Sequence, residues 1–339
     1  MTAPITILHL AAGRSQLKAD GPLAEALREF ATLRIVEHGR DLSDADALAL
    51  LRSADVVLTL WGARPIPPAL VDDPGRVRYV LNLTGTCRAF VPIDGIRSAI
   101  PVTNWGDAPA PIVAEGAVAL LLAVLKDLRP RTEQIARGEW GGTRRWGLRS
   151  GSLRGLAIGL YGCGAIGRRF VQLLQPFEPR WLVFDPFAAE LPEACTRVDS
   201  LEALCDQSEA LVVWAGLTDQ TRGSLTAPLL ARLPDGGIVI NAARGDIIDQ
   251  PALFAELKAG RLRAGLDVLA DGDGLPPDHE ARAWPNLLLS CHDIASAGWP
   301  PRPPRLSDAD RIALDNLRRF RAGEPLRFRM DEQRYLLST

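Results

Sequence analysis

Short apolar runs alternate with amphipathic stretches from the start of the chain: residues 5–10, 34–38, 56–60 and 79–83 each read as a strand, with helical spacing between them. That alternation predicts β/α layers. From Pro111 to Arg137 apolar positions (Ile112, Val113, Val118, Leu121, Leu122, Leu125, Leu128) recur at helical intervals, predicting one long helix apolar enough to be buried or to face a neighbour. A connector rich in Trp and Gly, residues 140–151, leads to a second series with strands at 157–161, 181–185, 210–214, 237–241 and 262–268. The chain then passes through an Asp- and Gly-rich loop (271–278), a strand (286–290) and a Pro-rich loop (300–304) to a last helix. Ser307 is placed to cap that helix; Ile312, Leu317 and Phe320 form its stripe, and Gly323 with Pro325 stops it.

Composition narrows the class. At 339 residues the chain has room for roughly two domains. Hydrophobic residues at 47% and charged residues at 24% match a folded globular protein and argue against disorder. Lys and Arg number 39 against 41 Asp and Glu, a net charge of −2, so the chain as a whole offers no positive field to hold nucleic acid or an anionic membrane. Five cysteines without a C-x-x-C pair suggest neither a disulfide framework nor a structural metal site. No stretch reads as a signal peptide or a membrane span, so a cytoplasmic protein with a small-molecule ligand is expected.

The ligand is indicated by Gly162-Cys163-Gly164-Ala165-Ile166-Gly167, which directly follows an apolar strand and opens a helix through Phe170, Val171 and Leu174. The first Gly permits the turn, the second lets backbone approach a pyrophosphate, and the third lets helix and strand pack, while N–H groups of Ala165 and Ile166 open the helix. Asp185 ends the next strand eighteen residues after Gly167, where a carboxylate accepts both ribose hydroxyls of NAD and repels a 2′-phosphate. Pro186-Phe187-Ala188 contains no Arg to receive such a phosphate, so NAD is the expected cofactor.

With that segment placed, the flanking motifs resemble the D-isomer-specific 2-hydroxyacid dehydrogenase family. They are Ile100-Pro101-Val102-Thr103-Asn104, Val113-Ala114-Glu115, Asp185-Pro186, Asn241-Ala242-Ala243-Arg244-Gly245, Gly265-Leu266-Asp267-Val268, the strand leading to His292, and Gly323-Glu324-Pro325-Leu326. The resemblance implies an α/β fold of two doubly wound domains, Rossmann-like and flavodoxin-like. A substrate domain (1–103 and 292–339) would be split by an inserted NAD domain (104–291), and the protein would be a homodimer. It further implies NAD-dependent interconversion of a 2-keto acid and a D-2-hydroxy acid. Arg244 would bind and polarise the substrate and His292 would be the general acid, with Thr84, Gly85, Thr86 and Cys87 forming the substrate-carboxylate loop. Ala242 and Asp267 correspond to positions that hold the nicotinamide amide.

Two departures stand out. The family pairs its His with a Glu, and here the best match is Asp273, one methylene shorter and displaced by one inserted residue. Aligning from Pro285-Asn286 puts His292 on the family position, whereas aligning from Ile294-Ala295-Ser296 puts Asp293 there; His292 is the candidate, with Cys291 standing where the family has Pro. A non-catalytic NAD(H)-responsive protein of the same fold, or a dehydrogenase for another substrate, are the competing expectations. Trp61, Trp105 and Trp299 lie in or after loops where they could hold an aromatic or apolar substrate tail, or simply pack. Arg144, Arg145, Arg149, Arg302 and Arg305 could receive a second anion or a partner, or stay solvated.

Overall fold

The computed structural model describes residues 5–141, 147–296 and 305–337, with every side chain among them except that of Asp273. Trp299, Arg302, Arg144 and Arg145 lie outside the described residues. The chain forms two compact units, one from residues 1–109 and 298–339, the other from 110–297.

In the first unit, β1 (Ile5–Leu10), β2 (Ala31–Val36), β3 (Val56–Thr59), β4 (Tyr79–Asn82) and β5 (Val102–Thr103) form a parallel sheet in the order β2-β1-β3-β4-β5. Its inner strands are apolar on both faces because both are covered. Leu8, Leu10, Val57 and Val80 face one core cluster, while Ile7, Val56, Leu58, Tyr79 and Leu81 face another that includes Leu314 and Leu317 of the helix Asp308–Ala322. That helix begins with a reciprocal cap, Ser307 accepting from the Asp310 N–H and Asp310 from the Ser307 N–H, and ends at Gly323 with φ of 70°.

In the second unit seven strands run parallel in the order β12-β11-β10-β9-β6-β7-β8: β6 (Ala157–Tyr161), β7 (Arg180–Phe184), β8 (Cys195–Arg197), β9 (Ala210–Val213), β10 (Ile238–Asn241), β11 (Arg263–Leu266) and β12 (Leu287–Leu289). The helix Ala165–Leu174 buries Gly167, Phe170, Val171 and Leu174, a spacing of three and four that gives one apolar face. Glycines let the helix Ala110–Leu125 come close: a Cβ on Gly116 would lie 2.5 Å from the Ile294 carbonyl oxygen, and one on Gly265 would lie 3.2 Å from Leu120 Cβ.

Three elements differ from the pattern-based expectation. The single helix across 111–137 is two, Ala110–Leu125 and Leu128–Ala136, because Asp127 adopts a left-handed conformation (φ 50°). Its carboxylate there accepts from the Arg149 N–H at 2.5 Å and from the Arg263 guanidinium at 3.2 Å, contacts that a straight helix would not present together. β8, with its sequence Cys-Thr-Arg at a sheet edge, has no apolar run to reveal it. β2 begins three residues earlier than the apolar run at 34–38 suggested, since pairing with β1 extends from Ala31 to Val36. No helix among the described residues is long and apolar enough to cross a membrane.

Candidate active site

Three adjacent loops of the second unit leave the sheet at one level, because the pairing register sets Asn241 beside Leu266 and Leu266 beside Leu289. The first carries Ala242, Ala243 and Arg244. Asn241 shapes it, its amide donating to the Arg244 carbonyl at 2.9 Å and its carbonyl oxygen accepting from the Ala243 N–H at 3.0 Å. Gly245 has no room for a side chain: a Cβ would lie 1.9 Å from the Leu269 carbonyl carbon, so only glycine lets this loop sit on the next one. Arg244 itself, extended at φ −144°, donates from its guanidinium to the Ala243 carbonyl at 2.6 Å.

Asp267 ends β11 and is buried. One of its carboxylate oxygens accepts from the Ser290 hydroxyl (2.8 Å), the Asp293 N–H (3.0 Å) and the Ile294 N–H (3.1 Å), and its carbonyl accepts from the His292 N–H at 2.6 Å. These bonds hold a tight turn in which Cys291 and His292 both have φ of 57°, closed by the Asp293 N–H on the Ser290 carbonyl at 3.1 Å. Two successive left-handed non-glycine residues cost about 1–2 kcal/mol each. The buried carboxylate acceptor offsets that cost, and the turn presents His292 as an exposed side chain. The side chain of Asp273 lies outside the described residues; the backbone before it bends through left-handed Asp271 and Gly272.

The glycine fingerprint fits a dinucleotide pyrophosphate by its steric pattern. Gly162 has φ of 93°, and a Cβ there would meet the Ala215 nitrogen at 2.8 Å. A Cβ on Gly167 would lie 3.2 Å from the Gly162 carbonyl and 3.3 Å from Trp214 Cδ1. Gly164 is different: nothing lies within 4 Å of the position its Cβ would take, so the space before the N–H groups of Ala165 and Ile166 is open, and no side chain caps that helix. Cys163 faces the core, and burial pushes its thiol pKa up. Asp185 is anchored to this turn, one oxygen accepting from the Cys163 N–H at 2.7 Å and the other from Phe187 and Ala188 N–H at 2.8 and 3.0 Å.

In the first unit the loop 84–87 leaves β4, and its polarity is set by two asparagines. Asn82, fully buried, donates to the Thr84 and Thr86 carbonyls at 2.9 and 3.2 Å, and its own oxygen accepts from the Thr59 hydroxyl at 2.9 Å. Asn104 donates to the Gly85 carbonyl at 2.7 Å, and the Cys87 carbonyl accepts from Phe90 and Val91. All four loop carbonyls are therefore taken from within, while the N–H groups of Gly85, Thr86 and Cys87 meet no acceptor among the described residues. Successive unpaired N–H groups of this kind make an anion-binding concavity. The Cys87 side chain has no part in it; it is buried, and burial holds its thiol up at about 12.

The family described as D-isomer specific 2-hydroxyacid dehydrogenase, NAD binding domain, matches residues 118–293, more than half of the chain. The chain belongs to that family. Among its curated relatives, D-3-phosphoglycerate dehydrogenase of Methanocaldococcus jannaschii is 28% identical over 286 residues, 81% of this chain and 52% of the relative, so the chain spans about half that protein's length. Hydroxypyruvate reductase of Thermotoga maritima is 32% identical over 222 residues, 63% of this chain and 69% of the relative. Among solved structures, a 2-hydroxyacid dehydrogenase from Ketogulonicigenium vulgare superimposes with a TM-score of 0.74, covering 97% of this chain and 99% of that one at 24% identity. As a member of the 2-hydroxyacid dehydrogenase family the chain carries an NAD-binding domain.

Sequence reasoning overlooked several residues that shape these sites. Asn82 ends an otherwise apolar strand, and a polar residue at the carboxyl end of a buried run was the signal available; Asn241, named in a motif, ends another such strand, and only its bonding role went unread. Arg197 reaches the loop 185–188 from β8, donating to the Asp185 and Ala188 carbonyls at 2.7 and 2.6 Å. Gln250 accepts from the Ala270 N–H at 2.8 Å, which only the folded chain brings within reach.

Proposed function

We propose that the protein is an NAD-dependent oxidoreductase that interconverts a 2-keto acid and a D-2-hydroxy acid. The observation that carries this reading is the loop 84–87, where the N–H groups of Gly85, Thr86 and Cys87 meet no acceptor among the described residues and suit a carboxylate, in a chain whose family membership supplies the NAD domain. Gly162, Gly164, Ala165, Ile166 and Gly167 would cradle the pyrophosphate and Asp185 the ribose. NAD supplies a hydride acceptor, and in its reduced form a donor.

Arg244 offers a planar fork of donors, suited to binding the substrate carboxylate and drawing charge onto the C2 oxygen. His292 gives that oxygen a proton in the reductive direction and takes it back in the oxidative one. Asp273, standing for the family's Glu, would orient the imidazole and favour its charged form. Asp267 serves the site first by fixing the His292 turn; contact with the nicotinamide amide falls to its other oxygen and to the backbone of Ala242. A second copy of the chain would cover the exposed Ile112, Leu128 and Ile135, which lie on two consecutive helices of the second unit. Five unpaired thiols suit the cytoplasm.

NADH oxidation with a panel of 2-keto acids tests the reading on wild type, Arg244→Ala, His292→Ala, Asp273→Ala and Asp293→Asn. Loss of the proton donor should lower kcat by about 10²–10⁴-fold in His292→Ala, with a shifted pH profile in Asp273→Ala. If Asp293→Asn is the inactive variant and His292→Ala is not, the acid role passes to Asp293. A wild type that binds NADH yet reduces no 2-keto acid would sink the proposal and favour an NAD(H)-responsive binding protein.

A further inference from the structure

We infer that the acid this protein handles carries an aromatic side chain, received by Trp61 and Trp105 beside the loop 84–87. The inference rests on the 2-keto acid reading above and names its substrate class.

If these N–H groups of the loop hold the carboxylate, side chains of the first unit beside the loop stand within reach of the substituent on C2. One indole lies against the loop, and a second packs on the turn that follows it. Trp105 lies against Gly85, close enough that a Cβ there would sit 2.9 Å from its Nε1 and 3.2 Å from Cε2 and Cζ2, and the Trp105 backbone N–H donates to the Thr84 carbonyl at 3.4 Å. Gly85 is thus the only residue type that lets the ring rest on the loop backbone. Trp61 packs on Phe90, three residues past the loop, their rings meeting edge to face at 6.0 Å and 68°. Phe90 is buried and belongs to the same turn, its N–H bonding the Cys87 carbonyl at 3.0 Å.

Trp61 follows β3, next to β1, where the winding of the sheet reverses; in open α/β sheets ligands collect at that reversal, outside the carboxyl ends of the strands. The backbone there is closed, with the Ala12 N–H on the Gly62 carbonyl at 2.8 Å, so the feature offered to a ligand is the ring itself. It remains 44% exposed although one edge is packed, and an aromatic ring placed beside it gains both apolar burial and ring-to-ring geometry. Among the described residues the charged competitors near this rim include Arg88, whose Nε donates to the Tyr335 carbonyl at 3.0 Å, and Arg334, whose guanidinium donates to Asn104 Oδ1 at 3.5 Å; either would favour a second carboxylate instead of a ring.

The test compares kcat/KM with NADH for phenylpyruvate, glyoxylate and oxaloacetate in wild type, Trp61→Ala and Trp61→Phe, with NADH affinity measured by fluorescence as a check on folding. Phenylpyruvate should be preferred over both others by at least about tenfold, and Trp61→Ala should erase that preference through KM while Trp61→Phe recovers most of it. A wild type that prefers oxaloacetate would assign the rim to Arg88 or Arg334, and one that reduces glyoxylate but not phenylpyruvate would overturn the inference while leaving the keto acid reading intact. Equal losses on all three substrates in Trp61→Ala would reduce Trp61 to a packing residue. If no 2-keto acid is reduced, this inference falls with the reading beneath it.

Discussion

His9 is fully buried in the middle of the first unit's sheet, between β2 and β3. Its Nδ1 lies 3.1 Å from the Leu58 carbonyl, an acceptor, so the neutral ring carries its proton there; Nε2 has no partner among the described residues. Burial lowers its pKa below the ordinary 6.5, outweighing the opposing effect of the carbonyl. The unfolded chain therefore binds the proton more readily, and stability should fall as pH drops below 6.5 toward the depressed folded value. Urea midpoints measured across that range should slope for wild type and flatten for His9→Phe. The variant should be about 1–2 kcal/mol less stable at neutral pH because the Leu58 carbonyl loses its donor. Parallel slopes would show that His9 does not control the acid limb. At this scale the sequence was a good guide to residue type and a poor one to surroundings: His9 matched no motif, and His292 could not be seen to stand on a left-handed turn, because φ depends on the Asp267 bonds that enforce it.

The fingerprint element separates two roles that a motif string merges. Gly162→Ala forces φ of 93° on a residue with a side chain and drives its Cβ toward the Ala215 nitrogen, which should lower stability by at least about 2 kcal/mol. Gly164→Ala meets nothing, so its melting temperature should stay near wild type while its NADH dissociation constant rises by at least about tenfold. Thermal denaturation and fluorescence titration of the two variants distinguish these effects; equal NADH affinity in Gly164→Ala and wild type would mean that the open space is not the pyrophosphate seat. The longer elements were legible because periodicity is local: the helix Ala165–Leu174 and the capped helix Asp308–Ala322 declare their faces and ends within their own residues. The break at Asp127 was not, since its cause lies in Arg149 and Arg263, far along the chain.

For the whole molecule, the exposed Ile112, Leu128 and Ile135 predict association of two copies. Sedimentation of wild type should give a dimer and that of Ile112→Asp with Ile135→Asp a monomer that still binds NADH. A wild type that sediments as a monomer at micromolar concentration would remove this proposal without touching the site assignments.

The β/α alternation followed from the order of apolar and polar residues and the dinucleotide turn from the spacing of its glycines, because burial of a strand or of one helix face is a demand each segment expresses in its own composition, while the two doubly wound domains were implied by the family resemblance. Hydrogen-bond accounting is different, since it closes only over the folded chain. Nothing in the letters Thr84-Gly85-Thr86-Cys87 says which N–H groups are left over. Asn82 and Asn104 decide that by taking the carbonyls from neighbouring strand ends, just as Asp267 decides the His292 turn and Phe90 decides where Trp61 rests. Tertiary structure alone makes those assignments, because each depends on groups distant in sequence that meet only once the sheet of their own unit is formed.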